Sequence, residues 1–205
     1  MIKREFFDRD TLLVAKDLLG MIIIRKDNNT IYKARIVETE AYMGIEDRAC
    51  QTFGNKKTNR NKIMYEDAGT IYIYQTYGIH YLMNFITRDK NHPEGVLIRA
   101  IEPLSEIDNF SLNRFGLKYE NLSLYQKKNL TNGPGKITKA LAIDKKLNGK
   151  NLFTENFYLE DDIKYFQIIV DKRIGIDYAK EAKDYPYRFY IKDNPYVSKV
   201  KKDKI

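Results

Sequence analysis

One cysteine, Cys50, in 205 residues leaves no possibility of an internal disulfide and suits a reducing cytoplasm. No run of about 18 apolar residues occurs, so no membrane-spanning helix is expected. The opening Met1-Ile-Lys-Arg-Glu puts charge where a signal peptide needs an apolar stretch. Repeats and low-complexity linkers are missing too, and the length points to one large domain or two small ones. What the chain has in quantity is aromatic and basic. Sixteen tyrosines and ten phenylalanines contribute to a hydrophobic content of 43%, enough for a core and too much for global disorder. A net charge of +8 fits a polyanionic partner held through its phosphates, and equally an unselective lysine-rich surface.

Local signals outline the elements. Asp10 can cap a helix over Thr11 to Leu19, with Gly20 as its left-handed exit and Leu12, Leu13, Ala15, Leu18 and Leu19 as its apolar face. Met21 to Lys26 and Ile31 to Tyr42 flank Asp27-Asn28-Asn29, a hairpin signal. Gly54 to Lys62 is a polar loop carrying Lys56, Lys57, Arg60 and Lys62. Val96 to Glu102 reads as a strand that ends at Pro103, and Ser105 to Phe115 as a helix. Asn121 to Asn132 is ambiguous. Pro134 to Ile143 reads as a helix with proline in its first turn. Tyr165 to Val170 and Tyr187 to Lys192 read as strands, and Lys199 to Ile205 as a frayed basic tail. Hairpins with a few helices give an α+β class on a mostly antiparallel sheet.

Two strands carry unusual chemistry. Tyr32, Ala34, Ile36, Glu38, Glu40 and Tyr42 share a face that begins apolar and ends in two carboxylates and a phenol. Either the strand leaves the core to line a pocket, or Glu38 and Glu40 are solvated strand ends. In "GVLIRAIEP" both faces are largely apolar, so the strand is central and Arg99 has little water around it. It then needs a carboxylate or a phosphate. A third oddity is "TIYIYQTYGIHYLMNF", Thr70 to Phe85, two strands folded back at Tyr77-Gly78. Turn chemistry favours Asn or Asp at such a bend, yet the residue is a large ring.

"RIVETEAYMGIEDRA" (Arg35 to Ala49), "GTIYIYQTYGIHYLMN" (Gly69 to Asn84) and "GVLIRAIEP" (Gly95 to Pro103) together resemble the alkyladenine, or methylpurine, DNA glycosylase family. "NGPGKITKALAI" (Asn132 to Ile143) and "RIGIDYA…YRFYIKDNPYVS" (Arg173 to Ser198) match its later segments. The resemblance covers nearly the whole chain, in order. It implies a single mixed α/β domain over residues 1–205, built on a curved, mostly antiparallel sheet with a protruding hairpin and surrounding helices. No metal, cofactor or disulfide is implied. The implied activity is monofunctional release of alkylated purines, such as 3-methyladenine and 7-methylguanine, from double-stranded DNA by a cytoplasmic monomer.

By that resemblance Glu40 activates the attacking water, and Arg99 holds the nucleotide backbone and the water. Tyr42 and Tyr74 sandwich the flipped base, Asn84 opposes normal guanine, and Tyr77 fills the gap left in the duplex. Apart from the resemblance, Gly133-Pro134-Gly135-Lys136 opens a helix whose free amides, with Lys136, can bind a phosphate, although plain helix capping explains the segment as well. One position departs. Gln51 stands eleven residues after Glu40, where the family commonly has histidine. An amide can donate or accept but cannot become cationic, so activity on hypoxanthine and ethenoadenine is the part of the resemblance least supported here. A noncatalytic binding module and a small-substrate nucleosidase or glycosidase using Glu38 and Glu40 remain rival readings.

Overall fold

A thirteen-residue strand, β2 (Thr30–Tyr42), organises the protein. The structure, a computed structural model, describes residues 2–162 and 165–198; the basic tail expected at 199–205 lies outside the described residues. Strand β1 (Ile22–Asp27) pairs with the first half of β2 across the Asn28-Asn29 turn, where Asn28 takes a left-handed φ of 50°. The sheet continues with β3 (Ile71–Thr76), β4 (His80–Thr87), β5 (Glu94–Pro103), β6 (Phe157–Glu160), β7 (Ile168–Asp171) and β8 (Arg188–Ile191). Its order is β3-β4-β5-β2-β1-β6, every pairing is antiparallel, and β8 joins the second half of β2 with β7 outside it. The sheet curls, and the helices α1 (Arg4–Phe7), α2 (Thr11–Asp17), α3 (Ile107–Phe115), α4 (Leu124–Lys128) and α5 (Pro134–Ala140) surround it. The class is therefore the expected α+β.

Helix α2 starts where Asp10 accepts the Leu13 N–H, and the chain leaves through Gly20 at a φ of 85°. Its core face is Val14, Ala15, Leu18 and Leu19, all fully buried, whereas Leu13 is 52% exposed. The expectation that Leu13 belongs to the core face is corrected by rotation of the buried stripe onto Val14. The helix docks on β2 through the Thr39 hydroxyl, which donates to the Ala15 carbonyl at 2.8 Å. In the ambiguous stretch 121–132, Ser123 and Gln126 cap each other reciprocally, and that nucleates α4. Helix α5 is shorter than the pattern suggested, ending at Ala140, and is tied to the sheet by the Thr138 hydroxyl donating to the Tyr81 carbonyl at 2.7 Å.

The pairing of β2 with β5 contains the irregularity that matters for function. Ile36 faces Ile101, Glu38 faces Ala100 and Thr39 faces Ile98, so Val37 is skipped on one strand and Arg99 on the other. Such a pair of bulges bends the ladder and re-aims the unpaired side chain. Arg99 is that side chain. Beyond the bulge β2 does not leave the core as its pattern suggested: Ile36, Val37, Glu38, Thr39, Glu40 and Ala41 are all fully buried.

Candidate active site

Two carboxylates with no solvent exposure lie at the centre of the curled sheet. They remain there because each is surrounded by charge and hydrogen-bond donors. Arg99 reaches both, its Nε 3.3 Å from Glu38 Oε1 and its Nη1 3.2 Å from Glu40 Oε1. Burial works against the guanidinium's charge, yet Glu40 and then Glu38 hold its pKa above the ordinary value. Glu38 also takes a bond from Arg188 Nη1 at 2.9 Å and from the Ser198 N–H at 2.8 Å. Arg188 is held in turn by Asp171 and by the Lys172 carbonyl. Glu40 has a different shell. Its Oε1 accepts the Ile174 N–H at 2.7 Å and its Oε2 accepts the Tyr42 hydroxyl at 3.0 Å.

Three residues that touch Glu40, namely Tyr42, Arg99 and Ile174, line a cavity of about 710 Å³. Glu40 is one layer behind its wall. Five tyrosines and three side-chain amides are among the cavity's lining residues, Tyr72, Tyr74, Tyr77, Gln51 and Asn84 included, and Gly135 lines it too. Tyr72 and Tyr74, two apart on β3, stack with ring centres 5.4 Å apart. Burial raises the pKa of both phenols, Tyr74's to about 12, and it raises Tyr42's well above the usual value, with Glu40 adding to the effect. All three rings are thus neutral at physiological pH. Gln51 Oε1 accepts the Tyr72 hydroxyl at 2.8 Å. The amide that seemed free to read a base edge with either group already has one of them engaged by the wall. The Asn84 amide is anchored likewise, donating to the Tyr72 carbonyl at 3.3 Å.

Behind Tyr42 is a second buried pair. Arg173 grips Asp47 with two bonds, 2.5 and 2.9 Å, and also donates to the carbonyls of Ala41 and Ala182. Its guanidinium lies between the rings of Tyr42 and Tyr187, at 4.8 and 5.2 Å. This clamp fixes the ring plane of Tyr42 and carries the backbone of Ile174 to Glu40.

The hairpin of β3 and β4 projects at the cavity's mouth. Tyr77 at its tip is 90% exposed, with Ile79 beside it at 72%. Tyr77 and Gly78 both have positive φ, 51° and 70°, and the Ile79 N–H bonds the Thr76 carbonyl at 3.2 Å, as in a type I′ turn. A tyrosine in left-handed backbone costs about 1 kcal/mol or more. The hairpin meets α5 just past its turn, where a Cβ on Gly135 would come within 3.0 Å of the His80 Cβ. Lys136 points the other way, into a neighbouring basic cavity, where its ammonium donates to Asn129 Oδ1 at 2.8 Å and Asn132 Oδ1 at 2.7 Å.

A single cavity therefore gathers an aromatic wall, a buried acid behind it and an exposed tyrosine at its rim, on one face of the protein. The methylpurine-DNA glycosylase family model matches residues 5–195. The chain belongs to that family. A protein of Clostridium novyi (strain NT), provisionally named 3-methyladenine DNA glycosylase, is 54% identical over 97% of this chain and 98% of its own length. Relatives with the same provisional name from Clostridium perfringens (strain SM101) and Desulfitobacterium hafniense (strain Y51) are 50% and 47% identical, each covering at least 95% of both chains. Members of the family are hydrolases of N-glycosyl bonds, and this chain is such an enzyme.

Of the residues singled out from sequence, the family fold brings Tyr42, Gln51, Tyr74, Tyr77, Asn84, Arg99 and Gly135 to one cavity, with Glu40 directly behind it and Lys136 in the adjoining one. Sequence reasoning missed the Arg173–Asp47 clamp and the Arg188 support of Glu38. Their partners are 126 and 150 residues apart, beyond the reach of any local pattern.

Proposed function

We propose that this enzyme extracts damaged purines from duplex DNA and hydrolyses the glycosidic bond with a water activated by Glu40. The observation that carries the reading is the position of Glu40, held by Arg99, Tyr42 and the Ile174 N–H, immediately behind a cavity whose mouth carries Tyr77. A base inside a duplex cannot reach such a cavity and must leave the stack, at a cost of a few kcal/mol. Tyr77 stacked into the vacated gap returns about 1–3 kcal/mol, which offsets a large part of that cost. Tyr42 and Tyr74 then flank the base, Asn84 crowds the 2-amino group of normal guanine, and the Gly135 and Lys136 region meets the phosphates.

The chemistry is a substitution at C1′. The water oxygen bonds to C1′, its proton passes to Glu40, the C1′–N bond breaks, and its electron pair leaves with the base. 3-Methyladenine and 7-methylguanine carry a positive charge in DNA and depart neutral. Glu40 serves twice, as proton acceptor and as the anion facing an oxocarbenium-like sugar. No lysine lies in the catalytic segments, which supports hydrolysis without strand cleavage. The working unit is one domain acting as a monomer in the cytoplasm.

The deciding experiment incubates purified protein with methylated duplex DNA, free nucleosides and oligosaccharides. Purine release from the duplex alone is the expected result; release from nucleosides, or none, overturns the reading.

A further inference from the structure

Arg60 occupies a position the reaction above does not use. It is exposed, yet it lines the cavity, and its guanidinium carbon is 5.5 Å from the centre of the Tyr74 ring. Its place is built. Its Nη2 donates to the Gln75 carbonyl at 2.8 Å, and its own carbonyl accepts the Tyr72 hydroxyl at 3.2 Å. The next residue, Asn61, bonds the carbonyls of Gln51 and Lys56 and so pins the basic loop to the wall. The described residues lining the cavity include the cations Lys56, Arg60 and Arg99 and no carboxylate. Arg99 is neutralised by Glu38 and Glu40 behind the wall. The Arg60 guanidinium donates to a neutral carbonyl, so its charge acts on whatever enters.

We infer that Arg60 is a specificity-determining residue that holds back positively charged purines relative to neutral ones by placing an uncompensated guanidinium on the Tyr74 wall. An aromatic ring attracts a cation through the negative face of its quadrupole. With a guanidinium already on Tyr74, that attraction is partly spent, and a second cation also meets direct repulsion. A neutral base, such as hypoxanthine or ethenoadenine, stacks on the same ring without that penalty. The inference rests on the glycosylase reading and deepens it, from damaged purines in general to the balance between charged and neutral ones.

The test uses duplex oligonucleotides carrying one 7-methylguanine or one hypoxanthine, and measures single-turnover base release at saturating enzyme, where DNA affinity drops out. Arg60→Gln removes the charge; Arg60→Lys keeps it. For Arg60→Gln the ratio of 7-methylguanine to hypoxanthine release is expected to rise about three- to tenfold, the size of a charge–charge effect near a protein surface. Arg60→Lys is expected to stay within about twofold of the unmodified enzyme. Equal changes on both substrates in Arg60→Gln, or the same ratio shift in Arg60→Lys, overturn the inference and leave the glycosylase reading standing. An unmodified enzyme that releases neither base overturns both.

Discussion

Glu40 and Arg99 form a buried ion pair, 3.2 Å apart, across the one place where strands β2 and β5 fall out of register. In a regular ladder residue 99 would have a β2 partner of its own, and its side chain would follow the alternation of Leu97 and Ile101. The bulge frees it to meet Glu38 and Glu40 together, so the charge balance of the site originates in backbone irregularity.

Glu40→Gln should therefore fold. Glu38 continues to neutralise Arg99, the amide oxygen can still accept from the Ile174 N–H, and the amide NH2 can donate to the Tyr42 hydroxyl oxygen. Purine release is expected to fall by about 10²–10⁴-fold while affinity for lesion duplex changes little. Single-turnover release and a binding titration on the same preparation check it; ordinary turnover would rule out Glu40 as the base.

Tyr77 separates stability from function. Tyr77→Gly relieves the left-handed residue at an exposed site, so thermal stability should hold or rise by up to about 1 kcal/mol. Capture of a lesion in duplex DNA should weaken more than capture of the same lesion in a single strand. Equal losses on the two substrates would argue against a wedge.

Asp47→Asn leaves the Arg173 guanidinium buried without its counter-ion. A loss of about 3–5 kcal/mol in urea unfolding is expected, as for other broken buried pairs. The Tyr42 ring loses its clamp as well, so base release should suffer in whatever fraction stays folded.

Alkaline pH should destabilise the fold through the cavity wall. Tyr74's phenol has its pKa raised by burial to about 12 from an ordinary 10. The unfolded chain then gives up this proton first. The stabilisation is complete below pH 10 and is lost as pH rises through 10 to about 12. Urea melts at pH 9 and pH 11.5 should show a smaller alkaline loss in Tyr74→Phe than in the unmodified protein.

Much of this site was legible in the sequence because it is written in short-range patterns. Alternation puts Glu38 and Glu40 on one face, an apolar strand isolates Arg99, and a tyrosine at a tight bend contradicts turn chemistry. What alternation could not decide was whether the two glutamates are solvated. Their burial depends on Arg99, Arg188, Ile174 and Ser198, which arrive from three other segments. The bulge at Arg99 is equally unmarked, since no glycine or proline signals it. In the fold, β6 was missed because a four-residue strand carries almost no periodicity. Leu13 was placed inside because a leucine-rich helix offers more than one plausible apolar stripe.

The missing side chain at Gly135 has a mechanical meaning. Because α5 seats directly on His80, two residues past the Tyr77-Gly78 turn, the tip cannot swing independently of the helix, and the reach from Tyr77 to the cavity is set like the span of a fixed caliper. A methyl group at residue 135 would pry those two jaws apart by a few tenths of an ångström, enough to mistune the instrument without breaking it.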